Sequence, residues 1–150
     1  MTWVASNTLV REFEFICHCD PALDSESESF EEQYRLYRDR GDAALLPVKS
    51  NQVPAVWTLR HLNPRVVAKT AQLQSEAKFA ESLVIAAQYA IKAVRGISTE
   101  SGGDFKVETV RCNEMRCPMA SDDTLSQILA FGPSVLVEIG MRALNLNPLS

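Results

Sequence analysis

The stretch NPRVVAKTAQLQSEAKFAESLVIAAQYAIKAVRG, residues 63–96, carries the strongest helical signal in the chain. Asn63 is suited to cap a helix, Pro64 to occupy its first turn, and Gly96 to form the left-handed residue that follows a last turn. Apolar side chains recur between these signals at steps of three and four, which predicts helix with one buried face. They are Val66, Val67, Thr70, Leu73, Ala77, Ala80, Val84, Ala87 and Ile91.

The length of this stretch argues against one straight rod. Unbroken, it would span roughly 50 Å at about 1.5 Å per residue, which is long for a chain of 150 residues. The apolar pattern also slips between Gln74 and Glu76. We therefore expect two helices, or one helix kinked there with Ser75 capping the second half.

Two segments before the helical stretch alternate between apolar and polar residues. Leu9–His18 places Phe13 and Phe15 on one side and glutamates on the other, and Pro54–Leu62 repeats the alternation. Period-two patterning is typical of half-buried strands. We expect these strands to pair antiparallel.

A short helix is predicted between these strands. Ser25 with Glu28, or Ser29 with Glu32, offers a capping box, and Gly41 suits the end. Its aromatic residues share one face at helical spacing, which indicates packing into the core rather than ligand stacking. They are Phe30, Tyr34 and Tyr37.

The C-terminal third adds one predicted strand and two short helices. Asp104–Arg111 alternates like a third strand. Asp122 or Asp123 can cap a helix that Gly132 stops, and Pro133 suits the start of the last helix. The sequence therefore predicts a single α+β domain over residues 1–150, with a small antiparallel sheet of about three strands packed against a long or kinked helix and two short C-terminal helices.

Charge and hydropathy narrow the classes of partner. The chain is 46% hydrophobic with a formal net charge of -4 and a pI near 5.2. Such a chain has no global basic field to attract a phosphate backbone, so nucleic acid is not expected as a partner. No segment has the apolar length of a membrane span or the pattern of a secretory signal, so we expect a soluble, intracellular protein with no membrane partner.

Four cysteines form the sharpest candidate for a metal site. Cys17, Cys19, Cys112 and Cys117 are the right ligand set for tetrahedral structural zinc. Their spacings argue against it, because Cys-x-Cys is tighter than the usual gap, and two cysteines alternating in a strand would not turn their sulfurs towards one metal. A redox or disulfide pair and buried free thiols are the alternatives.

Catalytic motifs are not recognisable in the sequence. His18 and His61 are its histidines, and no motif places an acid or nucleophile beside either of them. We therefore expect a protein that is not an enzyme and has no cofactor, zinc excepted. An enzyme of unrecognised type would need a pocket of perturbed titratable groups around one of these histidines.

Four patches of sequence resemble small proteins from the virion-morphogenesis gene clusters of tailed bacteriophages, namely tail assembly chaperones and accessory virion proteins. The patches are Asp20–Leu23, Val56–Leu62, Ala87–Lys92 and Leu136–Gly140. The resemblance implies a non-enzymatic part in virion assembly or structure, through contacts with other virion or tail proteins or between copies of this chain. It also implies location in the host cytoplasm during assembly, or in the virion.

The last helix and the tail supply the candidate contact surface. An apolar helix face can lie in a groove of a partner protein. The residues expected to bind a partner are Leu136, Ile139, Leu144, Leu146 and Leu149. A zinc-stabilised binding module that uses the four cysteines is the alternative function.

Overall fold

The computed structural model describes residues 12–146. Within that range it confirms the predicted α+β class, with a three-stranded antiparallel sheet, a separate two-stranded hairpin and five α-helices. The elements are β1 (Glu12–Phe15), α1 (Phe30–Arg40), a turn of 3-10 helix (Ala43–Leu45), β2 (Val56–Arg60), α2 (Pro64–Ser75), α3 (Phe79–Ala90), β3 (Ile91–Arg95), β4 (Thr109–Cys112), β5 (Cys117–Ala120), α4 (Asp122–Phe131) and α5 (Pro133–Asn145).

The main sheet has the order β1-β2-β3, with β2 in the centre. The first two predicted strands pair antiparallel as expected, with Phe13 opposite Leu59 and Phe15 opposite Trp57. Position 9, where the first strand was predicted to begin, lies outside the described residues, and the strand ends at Phe15 rather than at His18.

One face of the sheet packs on α3 and α5 to form the main core. Trp57 and Leu59 of β2 are buried there, which removes two large apolar side chains from water and is worth several kcal/mol. The predicted aromatic face of α1 is buried as well, in a second cluster with Ile16. The buried members of the main core are Phe15, Cys17, Trp57, Leu59, Leu62, Val66, Ala86, Ala87, Ala90, Ile91, Phe105, Ile128, Leu136, Ile139 and Ala143.

The helical stretch breaks where the apolar pattern slips, so the expectation of two helices is confirmed. The break is a Schellman motif, in which Lys78 N–H donates to the Leu73 carbonyl (2.8 Å) and Ala77 N–H to the Gln74 carbonyl (3.0 Å). Ala77 occupies the left-handed position of the motif, with φ of 59°. The expected capping by Ser75 is wrong, because Ser75 is the last residue of α2 and no side chain caps α3.

The end of the same stretch is a strand rather than helix. Helix α3 stops at Ala90, and Ile91–Arg95 becomes β3, which pairs antiparallel with the second edge of β2. Gly96 has the predicted positive φ, 91°, but it ends a strand instead of a helix. The helical prediction fails here because pairing with β2 satisfies this backbone and buries Ile91 completely, and tertiary pairing overrides local propensity.

The strand predicted to be the third of the main sheet belongs instead to the separate two-stranded hairpin. Of the expected strand Asp104–Arg111, only residues 109–111 form strand, as part of β4, which extends one residue further to Cys112 and pairs with β5, a strand that was not predicted. The hairpin turn places Arg116 at a φ of 58°, where the sequence offers no glycine. Without a turn signal of the Asn-Gly type, the hairpin is not apparent in the sequence.

The two C-terminal helices confirm their predicted boundaries at Gly132 and Pro133. The cap of α4 differs from the prediction, since the Ser121 hydroxyl accepts the N–H of Thr124 (3.1 Å) and both candidate aspartates lie inside the first turn. There the aspartates stabilise the positive end of the helix dipole.

Helices α3 and α5 cross closely at Gly140. A β-carbon at this position would overlap the backbone carbonyl of Leu83, so only glycine allows the two backbones to approach this far. The residues of α5 on either side of this crossing, Ile139 and Ala143, are buried against α3 and the sheet. The crossing fixes the position of the last helix over the core.

Replacing Ala77 with glycine should stabilise the protein. Glycine adopts the left-handed conformation without the steric cost of a β-carbon, and its greater entropy in the unfolded chain offsets only part of that gain. We expect the free energy of unfolding, measured by urea denaturation, to rise by about 0.5–1 kcal/mol. The matched control is Ala71→Gly in the exposed interior of α2, which should lower it by about 1 kcal/mol. A loss of stability in Ala77→Gly would contradict the Schellman geometry.

Replacing Gly140 with alanine should destabilise the protein strongly. The added methyl group has to displace the backbone at Leu83, and overpacking of a rigid contact costs about 3 kcal/mol. Gly103→Ala is the control, because a β-carbon there meets only the Thr99 hydroxyl at 3.6 Å. Thermal unfolding followed by circular dichroism compares the two, and equal melting temperatures would refute the close crossing.

Candidate functional site

The segment Ile16–Asp20, sequence ICHCD, forms hydrogen bonds to α1, to α5 and to the residue before β2, and we call it the cysteine loop. The chain leaves β1 at Phe15 and turns, with the Asp20 N–H donating to the Cys17 carbonyl (3.1 Å). The Asp20 carboxylate then accepts the N–H of Ala22 (2.9 Å) and the N–H of Ala55 (2.8 Å), which joins the loop to the start of β2. Both carboxylate oxygens of Asp20 therefore accept hydrogen bonds from backbone N–H groups.

Two tyrosines of α1 hold the first residue of the cysteine loop. The Tyr34 hydroxyl donates to the Ile16 carbonyl (2.7 Å), and the Tyr37 hydroxyl accepts the Ile16 N–H (2.9 Å). Burial raises the pKa of both tyrosines, so the hydroxyls stay protonated. The aromatic face of α1 therefore packs in the core, as predicted, and also positions the cysteine loop through its two hydroxyls. The spacing of the rings gave no indication of the second role.

Glu138 of α5 holds the middle of the cysteine loop. One carboxylate oxygen accepts the N–H of His18 (2.7 Å) and the other accepts the N–H of Cys19 (3.1 Å). Charge-assisted hydrogen bonds of this kind are about twice as strong as neutral ones. Glu138 was not predicted as a site residue, and its position in the last helix, far along the sequence, gave no signal of this contact.

The same carboxylate lies beside both cysteines of the loop. The sulfur atoms of Cys17 and Cys19 and a carboxylate oxygen of Glu138 are all within 4.8 Å of one another. Cys17 is buried and Cys19 is exposed. The prediction that these two sulfurs point away from any shared metal is wrong, because the residues form a turn rather than a strand.

The pKa of the Cys17 thiol is raised well above the ordinary value for cysteine. The hydrogen bond with Cys19 is the largest cause, followed by burial and by the negative charge of Glu138. The thiol is therefore neutral at physiological pH when no cation is present.

Cys112 and Cys117 do not complete the predicted four-cysteine site. They face each other across the β4–β5 hairpin, and in residues 12–146 no group of three or more metal-ligating atoms within 4.8 Å includes either of them. Cys112 accepts a hydrogen bond from the Tyr89 hydroxyl (3.2 Å), which lowers the pKa of its thiol, whereas burial raises the pKa of Cys117. The two cysteine pairs therefore do not form one four-cysteine group among the described residues.

Part of the predicted partner surface is inside the protein. Leu136 and Ile139 are fully buried in the main core, so the expectation that these two bind a partner is wrong. Their helical spacing marked the inward face of α5, because burial against α3 removes that face from water. Leu144 and Leu146 are half-buried, and position 149 lies outside the described residues.

The two histidines lie in different surroundings. His18 Nε2 is 2.9 Å from a Glu31 oxygen in a cleft of about 470 Å³ that Glu138 also lines. The His61 ring packs on Phe13 with centroids 5.2 Å apart, and its Nδ1 is buried without a hydrogen-bond partner among the described residues. Neither arrangement joins a histidine to a nucleophile of the described residues.

A second, larger depression lies on the other side of the cysteine loop. This groove, of about 680 Å³, is bordered by Val53 and Phe131 and is floored partly by Cys17 and Trp57. Val53 is 77% exposed and Phe131 is 49% exposed. We call it the Val53–Phe131 groove, and it presents two uncovered apolar side chains beside the exposed thiol of Cys19.

Removing the Tyr37 hydroxyl should loosen the cysteine loop. Tyr37→Phe leaves the buried Ile16 N–H without its acceptor, which costs about 2 kcal/mol in the free energy of unfolding. Tyr89→Phe is the control, since it removes a hydroxyl whose partner is a thiol, a weak acceptor, and should cost less than about 1 kcal/mol. Urea denaturation measures both, and equal losses would contradict the assigned role of Tyr37.

Within the described residues no single helix is long and apolar enough to cross a membrane, and α4 with α5 meets that test by length and composition only as a pair bent by 117°. Comparison of the chain with protein-family models, with curated proteins and with solved structures finds no match.

Proposed function

We propose that this chain is a non-catalytic protein that acts in the assembly or structure of a tailed-phage virion by contact with other virion proteins. The resemblance of its four sequence patches supplies the class of protein. The Val53–Phe131 groove is the observation that supports a contact role, because it combines a concave surface with uncovered apolar side chains.

The groove replaces the inward face of α5 as the main contact surface. Its border residues come from separate elements, the loop before β2 and the end of α4, so a partner that fills it would bury both at once. Complete burial of a fully exposed valine or phenylalanine side chain contributes about 1.5–3 kcal/mol, and Phe131, which is already half-buried, would gain about half of that. Aromatic side chains are enriched among the residues that anchor interfaces, so Phe131 is the candidate anchor.

The outward side of α5 extends the contact surface away from the groove. Met141 is half exposed and Val137 is 40% exposed. A methionine adapts its shape to a partner more readily than a branched residue. This side adds exposed apolar area on the helix that was predicted to bind a partner, whereas Leu136 and Ile139 are buried.

The proposal is tested in phage-infected cells that produce the tagged chain in place of the original. Quantitative mass spectrometry of purified particles should find the chain at a fixed ratio to the major capsid and tail proteins. For an assembly chaperone, the chain should instead be absent from particles and co-purify with the tape-measure protein. Phe131→Ser should reduce either association by about tenfold, which corresponds to the loss of about 1.4 kcal/mol.

Phe79→Ser is the matched control, because Phe79 is 60% exposed and does not line the groove. It should leave the association unchanged, and circular dichroism should show that both variants are folded. Finding the chain neither in particles nor with a virion protein would refute the proposal. Equal losses in the two variants would refute the assignment to the groove.

A further inference from the structure

The cysteine loop and α5 bring two thiols and one carboxylate together. We propose that Cys17, Cys19 and Glu138 bind one zinc ion. This site does not depend on the proposed contact function, and it differs from the predicted zinc site because Glu138 takes the place of the hairpin cysteines.

The spacing of the three ligand atoms suits a single ion. Zinc bonds of about 2.3 Å to sulfur and about 2.0 Å to oxygen, at tetrahedral angles, place ligand atoms about 3.5–3.8 Å apart. The three atoms lie within 4.8 Å of one another, so a reduction of each separation by at most about 1.3 Å would close the site. Side-chain rotation supplies shifts of this size without moving the backbone.

The carboxylate is already held in position. Both oxygens of Glu138 accept backbone N–H groups of the loop that carries the two cysteines, at 2.7 and 3.1 Å. An oxygen that accepts one hydrogen bond retains a lone pair for a metal, and such bonds orient a ligand from outside the coordination sphere. The backbone of the cysteine loop thus positions Glu138, the third ligand, beside the two cysteines.

The charge balance around Glu138 favours a cation. Its hydrogen bonds go to backbone N–H groups, and no ion pair of Glu138 occurs among residues 12–146. The nearest arginine along α5, Arg142, instead donates to the Arg38 carbonyl (2.9 Å) and lies over the Phe15 ring. A divalent ion would supply the positive charge that the half-buried carboxylate lacks, and its binding to the two sulfurs would release the thiol protons to solvent.

Two thiolates in the ligand set select the class of metal. Magnesium and calcium prefer oxygen ligands, whereas thiolate with carboxylate suits zinc. The exposed Cys19 lines the Val53–Phe131 groove and gives the ion access from it. Among the described residues, Asp20 contributes no oxygen to the group of ligand atoms that lie within 4.8 Å of one another. The fourth position is thus open to water or to a group in the groove, as in zinc sites that keep an exchangeable ligand.

Cobalt substitution tests the site directly. The full-length chain, reduced and freed of metal under anaerobic conditions, is titrated with Co²⁺. We expect near-ultraviolet absorption from thiolate-to-cobalt charge transfer, visible bands of four-coordinate cobalt, saturation at one equivalent, and displacement of the cobalt by Zn²⁺. A thiol assay that finds all four cysteines free at the start excludes oxidation as a cause of failure.

Substitution of the proposed ligands, with a hairpin cysteine as control, identifies the residues that bind the metal. Cys19→Ser removes an exposed thiol and should preserve the fold while it weakens Co²⁺ binding by about tenfold or more and diminishes the charge-transfer absorption. Glu138→Gln should weaken binding with the charge-transfer absorption retained. Cys117→Ser, the matched control, should change neither.

The proposal fails if the reduced, folded wild-type chain gives no charge-transfer absorption. It also fails if Cys117→Ser abolishes the absorption while Cys19→Ser does not. A Cys17→Ser variant that folds, as judged by circular dichroism, and still binds Co²⁺ with unchanged absorption would likewise overturn it.

Discussion

The close crossing of α3 and α5 at Gly140 is the constraint on which the rest of the structure depends. Because no β-carbon intervenes, α5 can lie against α3 and bury Leu136 and Ile139 between that helix and the sheet. The same placement sets Glu138, two residues earlier, over the cysteine loop at hydrogen-bond distance from His18 and Cys19. A backbone displaced by even 1 Å would separate these partners, so one glycine determines both the core and the candidate site.

The sequence predicted the elements whose signals are local. Pro64, Gly41 and Gly132 mark helix ends, and apolar periodicity located both helices on either side of the break. Prediction from local patterns failed where pairing with a segment far along the chain determines the secondary structure. Ile91–Arg95 continues a helical pattern but pairs with β2, and β5 forms through its pairing with β4 although its turn lacks a glycine. Strand pairing is a property of two segments, and periodicity within one segment does not reveal it.

The candidate site was predictable only in part. Their residue type marks Cys17 and Cys19 as candidate ligands, but the sequence pattern predicts a strand through His18, whereas β1 ends at Phe15 and the two cysteines lie in a turn. Glu138 could not be identified as a site residue from the sequence. The helical spacing of α5 identifies its buried face, but it does not indicate which loop the Glu138 carboxylate contacts. The hydrogen bonds of the Tyr34 and Tyr37 hydroxyls to Ile16 were not predictable either. The spacing of aromatic residues indicates where their rings pack, but not which groups their hydroxyls contact.

The contact between the cysteine loop and α5 also orders events during synthesis. His18 and Glu138 are 120 residues apart in sequence, so at about 5–20 residues per second the loop waits roughly 6–24 s on the ribosome before its carboxylate partner has been made. Until the elements that cover it have been made, the Cys17 thiol, which is buried in the finished protein, is accessible on the emerging chain. A reducing compartment, or early binding of another protein, would therefore protect the Cys17 thiol from oxidation in the newly made chain more than in the folded one.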